Sequence, residues 1–390
     1  MAKISKILAR PILDSRSNWT VEASVKSSSG RSASASVPSG ISRGSFEAKG
    51  VPPKRAVKNI DTVLARALNG TNLLDQKKID QVMIDLDGTP DKSRLGANAI
   101  LAVSLAVARL AAIEEGNYLW KYLRDIYAFK ANRKPRLFMN MIEGGLHADS
   151  PDIFQEYLVI PRAESYSRAV EVGLNIFEEL RKFLQKKTGT KRLLEGDEAG
   201  FSAKFKDLAE PLRILFKITR ESRLIKQVDF GIDAAASNMA FLPSKLTHIY
   251  LNLKNNFGVT YIEDPFGEKN AEFFSALLSK LGSGVLIAGD DLTVTNKERM
   301  AEAHNQSAIN AVVIKPNQIG TLTETLEAVR LARKWNWHVL CSHRGGETND
   351  SFIADLAYAV GADGLKLGAP ARGERVAKYN RLLEIERSED

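Results

Sequence analysis

Between Val228 and Gly368 the chain repeats one unit, a short apolar run that ends in a charged or polar side chain. VDFGID closes on Asp233, VTYIED on Glu263 and Asp264, VLIAGDD on Asp290 and Asp291, and AVVIK on Lys315. HVLCSHR then closes on His343 and Arg344, and GLKLG carries Lys366. The leading residues lie 30, 27, 25, 28 and 23 positions apart, room for a strand, a helix and two loops. Continuous apolar runs this short, alternating with helical patterns, read as buried parallel strands in βα units. Reactive residues at the C-terminal ends of such strands are where a (β/α) barrel keeps its site.

The remainder of the 390 residues exceeds what one barrel repeat needs, and the prior is two or three domains. From 4 to 26 the pattern reads as strands around a turn at 14–18, followed by a small-residue strand at 32–37. The loop Pro38-Ser39-Gly40-Ile41-Ser42-Arg43-Gly44-Ser45 has glycines that allow close approach to a ligand, although a plain surface turn has the same composition. Helical patterns follow over 53–69, 73–87 and 96–115, with Pro early and Gly after the end. These elements make a small α+β domain over residues 1–125. Arg133-Lys134-Pro135 reads as a linker to a second domain over 137–390. That domain opens with the strand LFMNMI, a loop at 144–150 carrying His147, and the strand FQEYLVI with Gln155 and Glu156 near its start. A helix over 165–187, an acidic turn Gly196-Asp197-Glu198-Ala199-Gly200 and a helix over 207–219 lead into the repeating units.

Composition narrows the function classes. Apolar content of 44% and charged content of 26% are those of a globular protein rather than a disordered or fibrous one. The single cysteine, Cys341, excludes a disulfide framework and suits a reducing cytoplasm. The N-terminal segment lacks the apolar stretch of a secretory signal, and the longest apolar run, 99–112, is short for a membrane span and contains Ser104 and Arg109. A net charge of +8 favours anionic partners, but the charges are scattered, which favours a small phosphorylated compound over nucleic acid.

Asp233, Glu263 and Asp290 end three consecutive predicted strands and should converge. Three carboxylates without His or Cys suit a hard divalent cation such as Mg²⁺. The competing reading of each acid alone is a helix cap or an ion pair. Across the ring come Lys315, His343, Arg344 and Lys366. Lysines beside a cation should have lowered pKa values, which makes one a candidate base. Arg344 offers a planar fork for a phosphate or carboxylate. A buried lysine can equally serve a salt bridge, and a lone histidine the core. Glu156 and Glu198 on the other side could share a proton, which would raise the pKa of one. The set fits proton abstraction next to a carboxylate followed by loss of a β-substituent.

The chain resembles the enolases, the phosphopyruvate hydratases, from end to end. The resemblance rests on ARPILDSR, VPSGIS, GANAILAVSLAVAR, FQEYLVIP, GDEAGF, GIDAAAS, IEDPF, GDDLTVTN, IKPNQIGTLTE, SHRGGET, FIADLA and GAPARGER. It implies a small N-terminal α+β lid domain followed by an enolase-type (β/α)8 barrel of ββαα(βα)6 order. It implies the interconversion of 2-phosphoglycerate and phosphoenolpyruvate in glycolysis and gluconeogenesis, with two Mg²⁺ ions per active site. By motif, Asp233, Glu263 and Asp290 would hold the first ion, and Ser39 would help hold the second. Lys315 would remove the α-proton while Lys366 and the metals stabilise the enediolate. Glu198, supported by Glu156, would protonate the departing hydroxyl. His147, Gln155, His343 and Ser39 would line the substrate site, and Arg344 would grip the phosphate.

The departures from the family pattern surround that chemistry. The lid loop carries Ile41 and Arg43, SHAGN becomes Leu146-His147-Ala148-Asp149-Ser150, and GDEGG becomes Gly196-Asp197-Glu198-Ala199-Gly200. Gly345 stands where a phosphate-binding serine is usual, and the insert after the AAS motif is missing. The homodimer expected of the family loses its usual ion pairs: Glu22 would face Glu384, and Arg10 would meet Asn175. An enolase paralogue acting on another acid, or a binding protein that kept the fold, are the competing functions these departures allow.

Overall fold

A computed structural model describes residues 2–40, 44–130, 133–148 and 152–389. Ile41, Ser42 and Arg43 of the lid loop, and Asp149 and Ser150 after His147, lie outside the described residues.

The first region is a three-stranded antiparallel sheet backed by helices. β1 (Ile4–Leu13) pairs with β2 (Trp19–Ser27), and β2 with β3 (Ser32–Ser36). The β1–β2 turn is set by Asp14, whose Oδ1 accepts from the backbone N–H of Arg16 and of Asn18, each at 2.9 Å. The predicted helix over 53–69 forms as Pro53–Asn59 and Ala65–Leu68 joined by a π turn at Ile60–Leu64. The helix Gln76–Asp87 starts on Asp75, which accepts from Lys78 N, and stops on left-handed Gly88. Helix Ala97–Glu114 is long and apolar enough to cross a membrane, but its residues are buried almost all round in the core of this fold. Its small residues let it lie between the sheet and the barrel. Ser104 Oγ accepts from Leu322 N at 3.0 Å, and the Arg109 fork holds Asp350 at 2.6 Å. These buried polar contacts fix the small sheet against the barrel loops.

The barrel closes on eight strands: β4 (Arg136–Glu143), β5 (Glu156–Pro161), β8 (Val228–Asp233), β9 (Val259–Glu263), β10 (Leu286–Gly289), β11 (Ala311–Ile314), β12 (His338–Ser342) and β13 (Gly364–Lys366). Pairing of β13 with β4 completes the ring. β5 runs antiparallel to both neighbours and the other ring pairs are parallel. The reason is in the connections: among the described residues no helix lies between β4 and β5, whereas each later barrel strand follows a helix. Two helices, Tyr166–Thr188 and Glu210–Glu221, separate β5 from β8. Between them a short hairpin of β6 (Leu194–Glu195) and β7 (Phe201–Ser202) joins β4 through Ile142 and Phe201. The order ββαα(βα)6 and the (β/α)8 barrel agree with the expectation from sequence.

Phe138, Leu158, Ile160, Tyr261, Ala288, Ala311, Val313 and Leu340 fill the barrel as one apolar cluster. Each large member stabilises the fold by roughly 1.5–3 kcal/mol. Gly364 makes room for this layer, since a Cβ there would lie 2.3 Å from the Phe138 ring. Tyr261 packs edge-on to Phe138 and sends its hydroxyl to Glu263, 2.5 Å away. The apolar layer thereby becomes the floor of a charged one.

Candidate active site

The acids of the barrel mouth lie in one lateral register. Glu143 is paired with Glu156 across β4–β5, Glu156 with Asp233 across β5–β8, and Asp233 with Glu263 across β8–β9. A bulge at Met141 contributes, because it shifts β4 by one residue and brings Glu143 opposite Glu156. Asp290 follows β10, and all five acids are buried. Asp264 is buried too, but it serves the backbone, since its oxygens accept from the N–H of Asp290 at 3.0 Å and of Asp291 at 2.7 Å. Its φ of 40° is strained for a non-glycine residue.

Two lysines answer this row. Lys366, on β13, reaches across the mouth to Glu263 on the diametrically placed β9 at 2.7 Å, and to Asp233 and Glu156 at 3.2 Å each. Lys315, just past β11, pairs with Asp290, whose other oxygen takes a 2.8 Å bond from Gln318. Burial pulls both lysines down, but these carboxylates prevail and hold both above the usual lysine value. The sequence-based expectation of lowered lysine pKa values concerns the cation-bound site, whereas these directions come from the protein's own groups alone. It assumed a cation as the nearest neighbour, and the neighbours among the protein's own groups are acids.

Burial and the crowded row push Glu263 up to about 8. Its Oε1 is buried and has no hydrogen-bond partner among the described residues. Asp290 goes the other way: burial opposes it, yet Lys315 draws it below its ordinary value. Oxygen donors, surplus negative charge and one unpartnered buried oxygen suit a hard divalent cation, and the carboxylates already within ligand distance of one another are those of Asp264, Asp290 and Asp291 rather than of Asp233, Glu263 and Asp290.

Glu198 comes from outside the strands. The tight turn between β6 and β7 places it in the mouth, and Glu143 builds that turn by accepting from Glu198 N at 3.1 Å and Gly200 N at 2.5 Å. Ala199 sits in the turn with φ 68°. His147 stands between the two acids, its Nδ1 4.0 Å from Glu156 and 3.8 Å from Glu198. His343 Nε2 lies 3.0 Å from Glu198 Oε2. The pair splits as sequence suggested, with a definite sense. Burial and then Glu198 push Glu156 well up. Burial also opposes ionisation of Glu198, but His343, His147 and Arg375 hold it well below the ordinary range. Burial keeps His343 neutral, pushed down to about 3.

His147, Gln155, Glu156, Glu198, Asp233, Lys315, His343, Arg344 and Lys366 line one enclosed pocket. Glu263 and Asp290 lie behind it, on the lysines. Ser39 is not brought into this group. It lines an outer cavity of about 310 Å³ with Gly40 and Glu47, and its hydroxyl donates to Asp14 at 2.8 Å. Arg344 connects the two spaces. Its fork meets Glu47 at 3.0 and 3.2 Å and Asn317 at 3.2 Å. Gly40 lies over that fork so closely that a Cβ there would fall 1.6 Å from it.

Sequence reasoning missed Glu47, Asn317, Gln318, Glu143 and Arg375. Gln318 and Arg375 lie inside motifs already singled out, IKPNQIGTLTE and GAPARGER; Glu47 and Glu143 gave no local signal. The residues expected at a subunit interface are already paired within the chain, Arg10 with Glu22 at 2.7 Å and Glu384 with Arg381 at 2.6 Å.

Comparison with known proteins bears on what this geometry belongs to. The family profile described as the enolase N-terminal domain matches residues 4–123, and that of the enolase C-terminal TIM barrel domain matches 133–242 and 239–389. The enolase of Methanopyrus kandleri is 41% identical, covering 99% of this chain and 96% of its own length. Those of Methanosarcina barkeri and Aeropyrum pernix are 41% and 39% identical, each covering 98% of this chain and 94% of their own. With a closed barrel, an acid row at its mouth and likeness over nearly the whole length, the chain belongs to the enolase family and is a lyase of the phosphopyruvate hydratase class.

Proposed function

We propose that this chain carries out the reversible dehydration of 2-phosphoglycerate to phosphoenolpyruvate with the residue roles that follow. The observation that carries the reading is Lys366 spanning the mouth to the acid row while Lys315 stands at the same rim. Lys315, which Asp290 holds in the charged form, must first give up its proton; the neutral amine then takes the proton from C2, and the electron pair moves into the substrate carboxylate. Lys366 places positive charge against the resulting enediolate. The C3–O bond then breaks as Glu198 delivers a proton to the hydroxyl, which leaves as water. Glu198 is ionised at rest, so it must first be loaded. Glu156 holds its proton, and His147 lies between the two. His147, Gln155 and His343 shape the pocket. Arg344 takes the phosphate, for which Glu47 must release the fork.

Asp233, Glu263 and Asp290 would hold a divalent cation, Mg²⁺ in this reading. Bound there, it would supply positive charge that competes with Lys315 for Asp290 and favours the doubly charged intermediate. A second Mg²⁺, assigned to Ser39 and substrate oxygens, requires Ser39 to give up its bond to Asp14. The same reading places the protein in the cytoplasm, in glycolysis and gluconeogenesis. A homodimer would have to use contacts other than Glu22 with Glu384, because both are already paired within the chain. Absorbance of the enol product tests the function: purified protein should form it from 2-phosphoglycerate with Mg²⁺ and stop when a chelator is added. No product from protein that still binds Mg²⁺ would contradict it.

A further inference from the structure

Arg375, in GAPARGER, opens the last helix, Gly373–Glu389, and is completely buried. A buried guanidinium persists only where its donors are matched. Here the carboxylate partner is remote, with Glu374 3.6 Å from Nε. Nε has no hydrogen-bond partner among the described residues, and the Nη1 and Nη2 donors go to the active-site loops. Nη1 lies 2.6 Å from His343 Nδ1 and 2.6 Å from the Arg344 carbonyl oxygen. Nη2 lies 2.6 Å from the Gly345 carbonyl oxygen and 3.0 Å from that of Asp197.

A guanidinium donates and cannot accept. Nδ1 of His343 must therefore be the bare, accepting nitrogen, and the ring proton sits on Nε2. That nitrogen is the one facing Glu198 Oε2 at 3.0 Å. In the other tautomer an N–H would point at Arg375, and a lone pair would point at a carboxylate. The ring has little room to escape by moving. A Cβ on Gly368, whose φ is 76°, would meet His343 Cε1 at 2.9 Å, Arg375 Cδ at 3.2 Å and the Glu198 carbonyl oxygen at 2.6 Å.

We propose that Arg375 is a positioning residue that fixes the His343 proton on Nε2 and, through that donor, the orientation and acceptor role of the Glu198 carboxylate. The inference deepens the proposed dehydration and rests on Glu198 acting in it. It also divides the two oxygens of Glu198. Oε2 faces His343 Nε2 at 3.0 Å, out of line for a hydrogen bond in this arrangement, and accepts from Asn140 at 3.4 Å, so Oε1, on the His147 side, is the oxygen that exchanges the proton. Through Asp197 and Arg344 the same guanidinium ties the turn carrying the acid to the loop carrying the phosphate grip.

The test begins on the unmodified protein with ¹⁵N-labelled histidine, where the five histidines are few enough to assign. His343 should show a bare Nδ1 and a protonated Nε2 around neutral pH. A protonated Nδ1, or an imidazolium, overturns the proposal whether or not the protein turns over. Arg375→Lys retains the charge and loses the fork. It should mix the two tautomers and lower kcat by about 10–100-fold, the scale of lost orienting partners, while KM moves far less. The kcat–pH profile should shift as well. Glu198 faces Glu143, Glu156, His147, His343 and Arg375, and His343 faces Arg375 and Lys366 besides Glu198. With charge at 375 unchanged, weaker donation from Nε2 leaves the Glu198 carboxylate less stabilised, so its limb moves to higher pH. A variant with the tautomer and pH profile intact and only KM raised would reduce Arg375 to loop support and overturn the proposal. Unmodified protein that shows the expected tautomer but no turnover of 2-phosphoglycerate would instead count against the dehydration, leaving the two failures distinct.

Discussion

The two arcs of the barrel mouth solve opposite problems. Along β4, β5, β8 and β9 the acids are side by side in one register, so each has another acid as its lateral neighbour. Along β11, β12 and β13 the cations are staggered, Lys315 just past its strand, Arg344 in the loop beyond, and Lys366 within the last turn of pairing. The acid arc cannot neutralise itself, and burial first, then the neighbouring acids, push Glu156 and Glu263 up. Compensation runs across the mouth, through Lys366, and at the seam where Lys315 meets Asp290. A charge imbalance confined to one arc gives a cation a reason to bind there. In the proposed reaction a substrate lying between the arcs would meet both lysines reaching in from the other arc.

Breaking the lysine arc should have the largest effect. Lys315→Ala should lower turnover of 2-phosphoglycerate by about 10³–10⁴-fold, the upper range for a general base. Its fold should survive because Asp290 keeps Gln318. Unchanged steady-state rates would remove Lys315 from the chemistry. Lys366→Met leaves three buried acids without their cation, and urea unfolding in chelator should show a loss of about 3–5 kcal/mol. Mg²⁺ should restore part of it, and a loss untouched by Mg²⁺ would mean that the arcs are not coupled in this way.

A pH series sharpens the comparison without a mutation. The Glu263 carboxyl titrates at about 8 in the folded chain, above its ordinary 4.5. A carboxyl raised on folding gives stability that is full below its unfolded value and is lost as pH rises through about 8. A divalent cation can take the place of that proton, so the Tm gain from Mg²⁺ over chelator should be larger on the alkaline side of 8 than in mild acid. Equal gains would contradict the imbalance. The smallest effect concerns the turn that feeds Glu198 into the acid arc. Ala199 adopts φ 68°, so Ala199→Gly should raise stability by up to about 1 kcal/mol. Thermal melting of the two proteins would show it.

What could be read in the sequence follows from where the information sits. All eight barrel strands were legible because a buried strand is a continuous apolar run, and in the six of the repeating unit the C-terminal residue is identified by position alone. The placing of Asp233, Glu263 and Asp290 at the ends of three consecutive strands needed only that reading. The lateral register was not legible, since it depends on the bulge at Met141 and on β5 running against its neighbours. Glu198 lies in a hairpin of two-residue strands, too short for any periodicity; it stood out only as the acid of a glycine-flanked turn, and its role came from the motif resemblance. Glu47 and Arg375 act on Arg344 and His343 from far along the chain, so no local pattern could connect them. Ser39 was legible as part of a ligand-approaching loop, whereas its bond to Asp14 depends on how the small sheet meets the barrel. Which of the protein's own charges lies nearest each lysine was likewise not legible, because packing decides it.

The central claim is that the two arcs divide the reaction, Lys315 taking the C2 proton and Glu198 serving the hydroxyl. It is tested most directly by exchange of deuterium from C2 of 2-phosphoglycerate into solvent, measured in Glu198→Gln and Lys315→Ala with Mg²⁺ present. The account predicts that Glu198→Gln still exchanges C2 deuterium while forming little phosphoenolpyruvate, and that Lys315→Ala does neither. Exchange that persists in Lys315→Ala and vanishes in Glu198→Gln would contradict it.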